Sequence, residues 1–342
     1  MMTSQNKYLI LWLCSGIIML YIMLLIGGIT RLTESGLSMV EWHPISGILP
    51  PLSDTQWTQE LEKYKKSPEG KLINTNITMA SYKIIFFWEY IHRLMGRIIG
   101  IIFIIPFFIF VYKGTINKNN YIRYIIILFL GLMQGLMGWY MVKSGLINIP
   151  EVSHYRLALH FFLALIIINY IFWTILNLLF PNKIPNKNKK YFILILILSI
   201  ILSLQIVYGT FVAGLNAGHF WNTFPLMNNQ IIPQEIFLLS QNMLMHITND
   251  LITVQFIHRT IGFLLLLYTF FLLINKHKYQ LNQLQNLALN IFACILFAQF
   301  ILGVATLIYR IPLILGLGHQ LVGGLLLNLC IYNIYIAKYQ ID

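Results

Sequence analysis

A chain of 342 residues with 58% hydrophobic and 10% charged side chains is too apolar for a soluble globular domain, where charge runs near a quarter of the residues. Its mean hydropathy is positive, and it reads as an integral membrane protein. The net charge of +12 does not point to nucleic acid, because the basic residues lie in short connections between apolar segments, where they set orientation in a membrane.

The run from Tyr8 to about Ile29 is too long for a signal-peptide core and lacks a small-x-small cleavage site, so it is expected to stay as an anchor. No Arg- and Ser-rich leader precedes it, and no mitochondrial transit peptide is visible. Further segments near 84–112, 121–142, 156–180, 191–213, 252–274, 286–309 and 313–336 complete a set of eight, each long enough to cross hydrocarbon about 30 Å thick. Helices are expected throughout, since lipid offers the backbone no other partner and the alternation of a barrel strand is absent. Cys14, Cys294 and Cys330 all fall in apolar runs without a CxxC pair and read as buried, inert thiols.

Lys113, Lys118 and Arg123, then Lys183, Lys187, Lys189 and Lys190, then Lys276 and Lys278 mark three connections as cytoplasmic. The connection from Ala213 to about Leu251 has no Lys or Arg and reads as external, which puts both termini inside. Four lysines in the first external loop are interleaved with Glu60, Glu62 and Glu69, and in a long loop they steer less.

The chain repeats itself. The stretch Tyr90-Ile91-His92-Arg93-Leu94-Met95-Gly96 returns as Phe256-Ile257-His258-Arg259-Thr260-Ile261-Gly262, residues 25–37 align with 207–219, and Gln134 and Gly138 match Gln299 and Gly303. The fold expected is all-α, eight transmembrane helices arranged as two parallel pseudo-symmetric four-helix bundles, an N-terminal half over 1–180 and a C-terminal half over 181–342.

His92 and His258 each have a glycine four residues on, and His160 with Ala164 and His319 with Gly323 have the same arrangement of imidazole above a small residue on one helix face. The topology brings all four to the external ends of the second, fourth, sixth and eighth helices. Such imidazoles suit two porphyrins, each held by a pair; the competing reading is that each caps its helix or meets lipid headgroups. His154 lies near enough to His160 to compete with it, whereas His43, His219, His246 and His277 lie in connections. Glu89, three residues before His92, is matched by Gln255 in the second half. A carboxyl at membrane depth is costly and usually functional, so the first half reads as the one that does chemistry and the second as the holder of a permanent cofactor. The alternative for Glu89 is an ion pair with Arg93. Arg93 and Arg259 have two roles open to them, binding haem propionates or snorkelling to the interface.

These residues resemble the haem A synthase family of the alphaproteobacterial and mitochondrial type. The resemblance runs from Gly27-Gly28-Ile29-Thr30-Arg31-Leu32-Thr33-Glu34-Ser35-Gly36-Leu37-Ser38-Met39 through Glu89-Tyr90-Ile91-His92-Arg93 and Tyr155-Arg156-Leu157-Ala158-Leu159-His160 to Gln255-Phe256-Ile257-His258-Arg259 and Gly318-His319-Gln320. It implies that His258 and His319 ligate a haem b cofactor and that Glu89, His92 and His160 line the site of the substrate, haem O. It also implies oxidation of the haem O C8 methyl group to a formyl group, giving haem A for cytochrome oxidase in the bacterial inner membrane. Haem O synthase and cytochrome oxidase assembly factors are the partners to expect, besides membrane lipid. The branch from Gram-positive bacteria carries a cysteine pair in its external loops, and this chain has none there, so electron relay through such a pair is unavailable to it. The competing classes are a bis-histidine dihaem b electron-transfer cytochrome, which has no need of a carboxyl beside one haem, and a haem exporter or chaperone, which would need an exit route rather than a fixed second haem.

Overall fold

In the computed structural model, residues 4–42, 46–116, 120–147, 149–237 and 243–341 are described; His43 and Lys118 lie outside them. Eight helices among these residues are long and apolar enough to cross a membrane. They are α1 (Ser4–Leu32), α4 (Met79–Tyr112), α5 (Tyr121–Gly145), α6 (His154–Leu179), α7 (Lys189–Gly214), α9 (Leu251–Asn275), α10 (Gln283–Ile308) and α11 (Leu313–Lys338). Each covers an apolar segment legible in the sequence, extended by a few residues where a polar cap is available. Asp250 caps α9 by accepting from the Thr253 amide at 2.8 Å, and Asn282 closes a capping box with Gln285 at the start of α10.

Three shorter helices, α2 (Asp54–Lys66), α3 (Pro68–Leu72) and α8 (Met243–Asn249), lie in the connections. The connection between α1 and α4 is thus folded rather than open: Ser53 and Gln56 form a capping box for α2, and the Ser67 hydroxyl accepts the Gly70 amide at the head of α3. Two short strands, β1 (Ile184–Pro185) and β2 (Tyr339–Gln340), pair antiparallel.

The chain divides into two compact units, Leu11–Ile167 and Met1–Ile10 with Ile168–Asp342, the division falling inside α6. In the C-terminal unit α7 packs on α9 and α11, and α10 packs on the same two helices, which closes a four-helix ring. The last part of α6 lies against α11, where Asn328 donates to Asn169 at 2.8 Å and the Tyr335 hydroxyl to the Leu176 carbonyl at 3.0 Å. In the N-terminal unit Trp12 ties α1 to its neighbours, donating to the Ile102 carbonyl of α4 at 3.0 Å and stacking on Tyr124 of α5. Large apolar side chains such as Ile101, Ile105 and Phe108 on α4 face outward, which hydrocarbon tolerates and water does not. Of the three thiols, all free, only Cys330 is buried; Cys14 is half-buried, and Cys294 is exposed on the outer face of α10. An apolar run marks membrane depth, but not which side of the helix faces its neighbours.

Candidate functional site

The C-terminal unit brings His258 of α9 and His319 of α11 together, with ring centroids 6.4 Å apart and planes 86° from parallel. A glycine of the neighbouring helix faces each ring. A Cβ on Gly209 of α7 would lie 3.0 Å from Cε1 of His258, and one on Gly303 of α10 would lie 2.7 Å from Cε1 of His319. A side chain at either position would press on the imidazole. Nδ1 of His258 donates to the Gln205 carbonyl at 3.2 Å, which fixes the tautomer and makes Nε2 the acceptor, with the Gln205 amide nitrogen 3.5 Å from it. The Gln299 amide donates to the His319 carbonyl at 2.8 Å.

The amide nitrogens of Gln205 and Gln299 also stand over Gly262 and Gly323, 3.2 and 3.4 Å from where a Cβ would be. The openings expected four residues below each histidine are therefore lined by carboxamides. Their Oε1 atoms are buried and accept no hydrogen bond from the protein, so both acceptors remain available to a bound group.

The N-terminal unit has the same construction. His92 of α4 faces Gly27 of α1, where a Cβ would lie 3.2 Å from Nε2, and His160 of α6 faces Gly138 of α5, where it would lie 3.0 Å from Cε1. The two imidazoles are within electrostatic reach of one another. Gln134 donates to the His160 carbonyl at 3.1 Å, and its Oε1 is a further buried acceptor without a partner. The position of Gln205 is taken by Met23, whose methyl group covers Gly96 at 3.6 Å. His154 opens α6 beside Tyr155, with ring centroids 4.0 Å apart; His160 is the one that meets Gly138.

Glu89 is 3% exposed and fully engaged. Its Oε2 accepts from the Ser38 hydroxyl at 2.7 Å and the Met39 amide at 2.8 Å, and its Oε1 from Nη2 and Nε of Arg93 at 2.6 and 3.1 Å. The ion pair expected as an alternative is present, and it leaves the carboxylate satisfied by charge-assisted bonds. Gln255 has the opposite surroundings, its amide donating to the Phe220 carbonyl at 2.9 Å and the Ala217 carbonyl at 3.3 Å.

The two arginines do equivalent work. Arg93 donates to the Met39 and Glu41 carbonyls at 2.9 and 3.0 Å, and Arg259 to the Trp221 and Thr223 carbonyls at 2.5 and 2.8 Å, so each clamps the connection that follows α1 or α7. The facing glycines, Gln205, Met23, Ser38 and Met39 escaped the sequence reading. The signal was there for the glycines, because Gly27 with Gly209 and Gly138 with Gly303 recur at matched positions; what each faces is a contact between helices.

A metal–imidazole bond of about 2 Å on each side, plus the two ring radii, spans roughly 6 Å, which is the separation of the His258 and His319 rings. Among the described residues no three His, Cys, Asp or Glu side chains gather as a metal site. A pair of imidazoles with buried free acceptors nearby fits a planar group that brings its own equatorial ligands, as haem does.

Residues 10–331 match the family described as cytochrome oxidase assembly protein, COX15-CtaA. Proteins named heme A synthase from Flavobacterium johnsoniae and Flavobacterium psychrophilum are 41% and 44% identical, covering 98% and 97% of this chain and 99% and 98% of their own. One of the same name from Wolbachia pipientis is 40% identical over 98% of this chain and all of its own length. A match running through both histidine pairs and almost from end to end makes this chain a member of the COX15-CtaA family of cytochrome oxidase assembly proteins.

Proposed function

We propose that this protein is a haem A synthase, an oxidoreductase that converts the C8 methyl group of haem O to a formyl group. The observation that carries this reading is the buried carboxylate of Glu89 in the unit of His92 and His160, at a position where the other unit has an amide. His258 and His319 hold a haem b, and His92 and His160 bind the iron of the substrate. Haem b bound there would supply a one-electron relay. Forming a formyl group from a methyl group adds the oxygen of water and releases protons and electrons in equal number, the electrons passing to an acceptor outside this chain. Glu89 takes the proton from the methyl carbon or orients the attacking water, with Ser38 and the Met39 amide holding one carboxylate oxygen in place. Arg93 holds the other carboxylate oxygen in place. The halves 1–180 and 181–342 divide the work into substrate site and cofactor site.

The protein lies in the bacterial inner membrane with both termini cytoplasmic, receives haem O from its synthase and passes haem A to cytochrome oxidase assembly. A cysteine introduced at Asn186 is protected from an impermeant thiol reagent in intact cells and one at Asn228 is labelled; the reverse result inverts the topology. Pyridine haemochrome analysis of the purified protein tests the function. Haem b together with haem O or haem A is expected, and haem b alone at two per chain would mean an electron carrier.

A further inference from the structure

A unit that holds a substrate porphyrin must exchange it, and a unit that holds a cofactor must keep it. The two units differ accordingly where α5 ends and α6 begins. Arg156 comes four residues before His160, on the same face of α6 and one turn nearer the helix end. Its guanidinium stacks on the Tyr140 ring of α5, with Cζ 3.7 Å from the centroid, and Nη1 donates to the Tyr140 carbonyl at 2.8 Å. A guanidinium held by its face keeps edge donors for a carboxylate. About one turn further along α5, Lys143 places its ammonium 5.1 Å from the centroid of the Trp139 ring. Trp139 follows Gly138, the residue that faces His160, and its ring lies 6.0 Å from that of Trp42. Arg93 fixes the connection that carries Trp42 by donating to the Glu41 carbonyl at 3.0 Å, and the Ser144 hydroxyl ties the two helix ends together by accepting the Ser153 amide at 3.1 Å.

We infer that this rim is where the substrate porphyrin docks, with Arg156 and Lys143 binding its propionates while Trp139 and Trp42 take its flat ring on the way to His160; the inference rests on the reading of this unit as the substrate site. The cofactor unit supplies the comparison. There Val304, Ala305, Ile308 and Leu315 stand at the positions of Trp139, Tyr140, Lys143 and Arg156, so every matched group is aliphatic. Phe224, which corresponds to Trp42 by the carbonyls that Arg93 and Arg259 hold, is packed on Phe263 and Phe300, with centroids 6.0 Å from each. Trp, Lys and Arg also anchor helices at a membrane surface, but the ends of α10 and α11 need anchoring as much as those of α5 and α6. In the cofactor unit the aromatic and the cation, Tyr309 and Arg310, come in the turn after α10 instead.

The charges of the rim are available to a ligand. Arg93 is committed to Glu89 and to two carbonyls, which leaves the carboxylates of a porphyrin to other cations. Glu151, the acid of the connection between α5 and α6, acts with Glu34 on Arg31, and among the described residues no carboxylate pairs with Arg156 or Lys143. Two cations without an anion beside indole rings that are 45% and 40% exposed, Trp42 and Trp139, suit a flat apolar ring that carries two carboxylates.

The test uses the purified full-length protein with its resident haem b, in an uncharged detergent, as wild type, Arg156→Gln, Arg156→Lys, Lys143→Gln and, as a control, Lys71→Gln. The probes are zinc protoporphyrin IX and its dimethyl ester, whose binding is followed by porphyrin fluorescence, while the haem b absorbance reports that each variant is folded. Wild type and Lys71→Gln should bind the diacid more tightly than the diester. Arg156→Gln and Lys143→Gln should each lose roughly tenfold or more in affinity for the diacid and little for the diester, with Arg156→Lys in between. Should Arg156→Gln fail to keep haem b, Arg156→Lys and Lys143→Gln carry the same comparison. Undiminished affinity for the diacid in both Gln variants overturns the inference, and so does a loss of equal size for diacid and diester. Loss of co-purified anionic phospholipid with undiminished porphyrin binding would overturn it too and make the rim a lipid anchor. If wild type takes up the diacid selectively but forms no haem A from haem O, the proposed function falls and the docking site stands; if wild type takes up neither porphyrin, both fall.

Discussion

The segment around Glu89 and the segment around Gln255 differ little in backbone and completely in polarity. In both, an arginine four residues on clamps two carbonyls of a connection, and a histidine between them faces a glycine of another helix. In the first, the connection offers a hydroxyl and an amide, which a carboxylate accepts; in the second it offers two carbonyls, to which an amide donates. The exchange of Glu for Gln is therefore accompanied by an exchange of surroundings. Gln255 shows that an amide suits its own setting, and it is not a control for an amide in the setting of Glu89. One scaffold is specialised by a few polar atoms, on one side for a charge and on the other for a neutral group.

The largest expected effect separates the two histidine pairs. Replacing His258 or His319 with a residue that cannot ligate should abolish the stable haem b spectrum, and replacing His92 or His160 should preserve it. Full haem b occupancy in both the His258 and His319 variants would dissolve the distinction between a cofactor unit and a substrate unit. Next comes the carboxylate. Glu89→Gln should retain haem b but form haem A at least ~10²-fold more slowly, with haem O or a hydroxylated product accumulating. Some instability should accompany it, because the new amide group must lie against the donors of Arg93. Near-normal haem A formation would return Glu89 to a purely structural ion pair.

A smaller effect is expected from filling the glycine slots. Gly303→Ala places a methyl 2.7 Å from the His319 ring and Gly209→Ala places one 3.0 Å from the His258 ring, so the first should cost about 1–3 kcal/mol in haem b retention and the second less. Thermal release of haem, followed by absorbance, ranks them; equal haem retention in Gly303→Ala and wild type would mean the slot is looser than its contacts indicate. The smallest effect concerns the folded connection between α1 and α4. With Glu69 raised by burial from 4.5 to about 7, the folded chain holds a proton that the unfolded chain has lost between those values. Stability should therefore fall as pH rises through that window and level off above it. Limited proteolysis of the loop between about pH 5 and about pH 8 should speed up in wild type and change less in Glu69→Gln; identical profiles would leave the carboxyl without influence on the loop.

Much of this was legible in order along the chain. Apolar runs of sufficient length must become helices in lipid, so all eight spanning helices were readable, as were the repeat and the four histidines that share its positions. The ion pair of Glu89 with Arg93 was readable too, since residues four apart on a helix are neighbours. Local rules reach as far as one helical turn and one membrane thickness. Which glycine receives which imidazole, which side of α10 carries Cys294 outward, and that the loop carboxyl of Glu69 turns inward onto Tyr64 are contacts between segments distant in sequence. Their energies depend on shape and on pairing of polar groups in three dimensions, which leave no periodic trace in one chain. The sequence by itself determined the helices and nominated the ligands, and the tertiary structure decided the surroundings that make a carboxylate stable in one unit and an amide in the other.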